Sequence, residues 1–223
     1  MTNERESLSS GLQYATVVAD PAWSITRPTG WGTKDKNHQP LAYPTMTDDE
    51  IASLPVASIV ADTAYLFLWT VNSKIEAAYS VARAWGFRPV TLLTWCKKPH
   101  GMGPGGHFAS TTEHILYARR GSSGKDFGRA RLHDSTWFDW PKAAHSVKPE
   151  QFQDLVQTNF PEPRLELFAR RRRIGWDVWG NEVDSDVELS RDRDATPPRC
   201  STSTTYAAGS ATANTDGSTD ETS

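Results

Sequence analysis

From Tyr14 to Trp179, short apolar runs alternate with segments of helical periodicity, and this alternation constrains the chain more than any other feature. Tyr14–Ala19 is a β-rich run that stops at Asp20-Pro21, where proline removes a ladder donor. Ala64–Trp69 is a continuous apolar stretch of the kind that forms a central strand, and Pro89–Trp95, Glu113–Ala118, Arg164–Phe168 and Trp176–Trp179 read as further strands. Between them, Ile75, Ala78, Tyr79, Ala82 and Trp85 fall at helical spacing within 73–85, and Gly86 stops that helix. Thr47 and Glu50 stand at capping-box spacing ahead of a segment that ends at Pro55. A last helix over 149–160 carries Phe152, Leu155 and Val156 on one face, with Pro149 near its start. The pattern predicts an α/β fold, a mostly parallel sheet with helices on both faces. Ligands of such sheets lie beyond the carboxyl ends of the strands, so the residues following each strand are the ones to weigh.

Composition sets the limits of the folded part. Residues 201–223 are almost all Ser, Thr, Ala, Gly, Asn and Asp, too polar to offset their ordering entropy. The expected domain is 12–183, with 1–11 a short leader and 184–223 a disordered acidic Ser/Thr-rich tail. The net charge of −3 is uneven: residues 184–223 carry −5, leaving +2 on the body. A mildly positive body binds a polyanion only where its basic residues cluster, so charge alone does not decide the partner. Two cysteines, Cys96 and Cys200, suggest neither a disulfide framework nor a zinc site. The N-terminus lacks the apolar core of a signal peptide, and no apolar run nears the ~20 residues of a bilayer span. These features predict a soluble, cytoplasmic protein with no membrane partner; they say nothing of protein partners. The six histidines form no pair at metal-ligand spacing, so no metal is expected.

Chemistry enters directly after the first strand, at Asp20-Pro21-Ala22-Trp23. Read blandly, this is a turn with a solvent-facing tryptophan. Read functionally, it is a device for activating an aromatic amine, a poor nucleophile because its lone pair is delocalised into the ring. The Asp20 carboxylate can accept one amine hydrogen and the Pro21 carbonyl the other, drawing the nitrogen toward a tetrahedral geometry. Trp23 would offer a face for the base to stack on, and proline would stiffen the turn so that the acceptors are aimed in advance.

These residues resemble the Asp-Pro-Pro-Trp signature of the MT-A class of N(6)-adenine methyltransferases, which includes eukaryotic mRNA enzymes and bacterial and phage DNA enzymes. The resemblance covers nearly all of 14–183. It extends to Tyr43-Pro-Thr-Met46, Tyr65-Leu-Phe-Leu-Trp69, Trp85-Gly-Phe87, Glu113-His114, His145-Ser-Val-Lys-Pro149, Arg164-Leu-Glu-Leu-Phe-Ala-Arg170 and Trp179-Gly-Asn-Glu182, in the family's order. Ala22 departs from it, standing where the family has a second proline; a looser turn there would lower the rate. The motif order is similar to that of permuted Rossmann-like methyltransferases, in which the target-base half comes first.

The resemblance implies S-adenosylmethionine as methyl donor and assigns roles residue by residue. Asp20, Pro21 and Trp23 would be catalytic. Lys148 and Ser146 would meet the carboxylate end of the donor, where a helix N-terminus also favours an anion. Arg170, Arg172 or Arg173, Asn181 and Glu182 would surround its ribose and adenine. Glu166 matches the acidic residue of the donor-binding strand in related folds, or serves structure alone. Tyr43, Trp69, Glu113 and Lys97 are candidates for the target-base side, each equally able to be ordinary packing or surface. A glycine-rich stretch, Gly101–Gly106, flanked by Lys97, Lys98, His100 and His107, reads either as a mobile surface loop or as a basic flap over nucleic acid. The expected activity is methylation of the adenine amine in DNA. Two alternatives are an RNA adenine methyltransferase with the same site and a catalytically silent nucleic-acid-binding relative.

Overall fold

The computed structural model describes residues 11–25, 44–97, 107–108, 110–122, 132–133, 135–141 and 147–189. Seven strands form one sheet: β1 (Tyr14–Ala19), β2 (Val60–Thr70), β3 (Arg88–Cys96), β4 (Thr112–Arg120), β5 (Trp137–Phe138), β6 (Arg164–Leu167) and β7 (Asp177–Trp179). Their order is β5-β3-β4-β2-β1-β6-β7. Every neighbouring pair is parallel except the two that β4 makes, with β2 and with β3. The expected mostly parallel sheet is therefore present, with one reversed strand set into its middle. The reversal has a functional result: the start of β4 lies at the same edge of the sheet as the ends of β1, β2 and β3.

Side-chain alternation along the strands divides the core in two. Val17, Leu66, Leu68, Leu116, Leu165 and Leu167 pack on one face against helices α1 (Asp48–Ala52), α2 (Val56–Ile59) and α3 (Ile75–Ala84). Val18, Tyr65, Phe67, Trp69 and Ile115 pack on the other against Phe152 and Val156 of α4 (Glu150–Asn159) and against Phe160. Phe67 is the hub of this second core, with edge-on contacts to Phe152 and Phe160 and a stacked contact to Tyr117. On the first face, the fully buried Trp85 donates its indole N–H to the Ile51 carbonyl at 3.1 Å, tying the end of α3 to α1.

Local signals read from the sequence recur in the structure. Thr47 caps α1, and the reciprocal bond from Glu50 back to the Thr47 backbone completes the capping box. Pro55, which closes that segment, also stands at the start of α2, an element the periodicity does not reveal. β5 is likewise unforeseen, because two residues are too few to show alternation. The packed body continues past the expected boundary: Leu189 is buried in the first core, and Asp186 accepts from the Val178 backbone. Residues 190–223 of the expected tail lie outside the described residues, as do Tyr43, Ser146 and the Gly101–Gly106 stretch.

Candidate active site

The site sits at the carboxyl edge of the sheet, on the α4 side. Asp20 follows β1, Lys97 follows β3, Glu113 is the second residue of the reversed β4, and Lys148 shortly precedes α4. These four, from widely separated parts of the sequence, form one ion network. Lys148 Nζ lies 2.9 Å from Asp20 Oδ1 and 3.2 Å from Glu113 Oε2, while Lys97 Nζ lies 2.6 Å from Glu113 Oε1. Trp69 and Trp95 floor the network, with the two ammonium groups over their rings at 5.3 and 5.8 Å. At such separations a cation gains from the negative face of the indole.

Position in the network sets the electrostatics. Burial works against the Lys148 ammonium, but the Asp20 and Glu113 carboxylates outweigh it and hold its pKa above the ordinary lysine value. Burial likewise works to raise the Glu113 carboxyl; Lys148 and Lys97 together overcome it and bring the pKa below the usual one. Beside Glu113 in the chain, burial pushes the His114 imidazole down, against the pull of Glu113. His114 makes its contacts on the opposite face, Nδ1 with Thr94 Oγ1 at 3.1 Å and Nε2 with Asn72 Oδ1 at 2.9 Å.

The turn after β1 is built tightly. Trp23 N donates to the Pro21 carbonyl at 2.9 Å, and Trp23 pairs with Met46 through a parallel bridge in which Met46 N donates to the Ala22 carbonyl and Ser24 N to the Met46 carbonyl, each at 2.9 Å. The Pro21 oxygen keeps a second lone pair for another donor. Trp23 itself corrects the expectation of a stacking platform. It is 5% exposed, belongs to the first core, and donates its indole N–H to the Trp69 carbonyl at 3.0 Å. Its large apolar surface is better satisfied in the core, so it fixes the turn from behind instead of presenting a face.

The donor-side residues are divided. Arg170 approaches Glu182, with Nε 3.6 Å from its Oε1, and Asn181 and Glu182 are exposed just beyond β7. The turn that carries them is locked: Phe168 takes φ 64° and packs edge-on against Trp179, and Ala169 N donates to the Trp179 carbonyl. Arg172 and Arg173, expected beside the donor's ribose and adenine, are instead both engaged by acids of this chain. Arg172 grips both oxygens of the Asp186 carboxylate at 3.0 Å, and Arg173 pairs with Glu150, Asp154 and Gln157 of α4. Arg171 also pairs with Glu150. The arginine run thus clamps α4 and the segment after β7 to the end of β6. The acids it meets are distant in sequence, so nothing in the run itself announces them.

An ammonium and a carboxylate side by side at a strand end can meet an anionic group at Lys148 and a hydrogen-bond donor at Asp20. The family model MT-A70 matches residues 14–182, which span every element of the sheet. The chain belongs to the MT-A70 family. This is a family of S-adenosylmethionine-dependent methyltransferases, in agreement with the mixed α/β sheet. Among MT-A70 relatives, the chain is 30% identical over 193 residues to the type II methyltransferase M.MunI of a Mycoplasma species, covering 79% of this chain and 81% of that protein. It is 27% identical to the human N(6)-adenosine-methyltransferase catalytic subunit METTL3 and 29% identical to the Drosophila melanogaster N(6)-adenosine-methyltransferase MT-A70-like protein. Each of those two alignments covers 77% of this chain, which spans only 28% and 27% of the longer relatives. Among the described residues, no helix is long and apolar enough to cross a membrane, and no group of three or more His, Cys, Asp or Glu is placed to hold a metal.

Proposed function

We propose that the protein methylates the exocyclic amine of adenine in DNA, using S-adenosylmethionine. The observation that carries this reading is the Lys148–Asp20 pair, 2.9 Å apart at the end of the first strand of a chain in the MT-A70 family. The methyl donor supplies, when bound, a methyl group already activated on a sulfonium. The chain's own residues have then to bind, aim and polarise. Lys148 holds a carboxylate, and the Asp20 carboxylate and Pro21 carbonyl accept the two hydrogens of the target amine. Glu113 and Lys97, at the same edge of the sheet, stand where the base would enter, and Trp69, 2% exposed, supports them from beneath without offering a face to stack on. Asp20 is also the nearest acceptor for the proton that the amine sheds once methylated. Because the acceptors are fixed by the Trp23–Met46 bridge, they cost little reorganisation when the amine arrives. In a duplex the base would have to be flipped out to reach them.

What supports DNA over RNA is the alignment with the type II methyltransferase M.MunI, 30% identical over 79% of this chain, against 27% over 77% for human METTL3. Incubation with labelled donor and either duplex DNA or RNA tests it directly: label in DNA supports the reading, and label confined to RNA transfers the same chemistry to the other polymer. D20A should abolish transfer while donor binding is mostly kept. A D20A protein that methylates as fast as the parent would overturn the role of Asp20.

A further inference from the structure

Behind the ion network, a second polar pair bridges α4 and the sheet. Gln153 is 8% exposed, and its Nε2 donates to Glu166 Oε2 at 2.9 Å. Its amide oxygen, Oε1, is buried with no hydrogen-bond partner among the described residues. An ionised carboxylate is acceptor-only and can satisfy the amide N–H but never the amide oxygen. A protonated carboxyl can do both, because its O–H supplies the missing donor. We propose that Glu166 is held as the neutral acid, paired with the Gln153 amide, and that this pair is a positioning unit setting Lys148 against Asp20.

The placement explains how it acts. Gln153 lies in the first half of α4, whose start at Glu150 is two residues after Lys148, and Glu166 lies in β6 opposite Val18, two residues before Asp20. A bond between Gln153 and Glu166 therefore fixes the two segments that carry the two members of the Lys148–Asp20 pair. The charged groups facing Glu166 favour its neutral form on balance. Burial, with the Asp20 charge added, pushes its pKa up to about 7, against the opposing pull of the Gln153 bond and of Arg173. Arg173 is itself occupied by Glu150 and Asp154 of α4, and Lys148 by Asp20 and Glu113. Ionised, Glu166 would add a negative charge beside Asp20 and strip the amide oxygen of its donor.

This inference rests on the methyl-transfer reading for its donor-binding arm but not for its spectroscopic one. In infrared difference spectra of the parent taken across neutral pH, a protonated carboxyl C=O band should be lost on alkalinisation and be missing from E166Q. Donor affinity of the parent should fall about fivefold for a one-unit rise above pH 7, as the neutral fraction falls from about one half to about one tenth. E166Q, which keeps the shape and the donor of the neutral acid, should bind donor up to about twofold more tightly than the parent at pH 7 and lack that alkaline loss. E166A and E166D, checked as folded by circular dichroism, should bind at least fivefold more weakly. Absence of the band, or an E166Q protein as impaired as E166A, overturns the proposal. A protein that shows the band but methylates neither DNA nor RNA would instead sink the methyl-transfer reading and leave the protonated pair standing.

Discussion

Replacing Lys148 by methionine would keep the length and apolar stem of the side chain and remove its charge, exposing how much the site depends on one ammonium. The side chains of Lys148, Asp20 and Glu113 are 21%, 28% and 16% exposed. Removing one partner from a fully buried pair costs about 3–5 kcal/mol, and from an exposed pair about 0–1 kcal/mol. Three groups covered to this degree place K148M at about 2–3 kcal/mol. For a domain of this size that is a fall in Tm of about 4–12 °C. The effect should depend on pH in a defined sense. Glu113 has a folded pKa below its ordinary value, so its ionised form contributes stability above the ordinary carboxylate pKa, and that stability is lost as pH falls through the lowered value. Lys148 is the foremost charge holding it down, so K148M should be penalised fully at about pH 7 and progressively less below about pH 4.5. Urea denaturation of both proteins across that range measures the gap, and isothermal titration should show donor affinity weakened in parallel. A gap that is absent at neutral pH, or constant across the range, would refute the electrostatic account of the network.

Two further perturbations probe the scaffold around it. W23F removes the indole N–H that reaches the Trp69 carbonyl, leaving a buried acceptor short of its donor. It should cost about 1–3 kcal/mol in chemical denaturation and lower the methylation rate more than donor affinity. G180A should be worse than its size suggests, because an added Cβ would lie 2.2 Å from the Ala169 carbonyl oxygen and 2.8 Å from its nitrogen. Relief requires the ends of β6 and β7 to part, at about 2–4 kcal/mol, read as a lower urea midpoint; an unchanged midpoint would show that the two strand ends separate freely.

The frame of the molecule was legible because it rests on local rules. Tyr14–Ala19 is a strand with the bounds its β-branched run suggests, the Thr47–Glu50 box caps a helix, and α3 and α4 lie where their apolar stripes put them. Strands β2, β3 and β4 run one to four residues longer at an end than their apolar cores imply, since backbone pairing continues after the side chains turn polar. Part of the candidate site was legible: of the residues singled out in the sequence, Asp20, Lys148, Glu113, Lys97 and Trp69 do converge. Its wiring was not. Nothing in Glu113-His114 tells that β4 is reversed, yet only that reversal delivers Glu113 to Lys148. The partners of Arg172 and Arg173 and the burial of Trp23 likewise depend on which distant segments the fold brings near, and no spacing within a motif encodes that.

The place of β1 between β2 and β6 has a consequence for how activity is acquired. Its first neighbour is made early in the sequence, but its second is contributed near the end of the matched region, together with the helix that brings in Lys148. A growing polypeptide that has emerged only as far as Glu113 holds Asp20 on an open-sided ribbon without the Lys148 ammonium to face it. Nascent or truncated copies should therefore be inert in methyl transfer, and competence should arrive in one step when the closing strand docks.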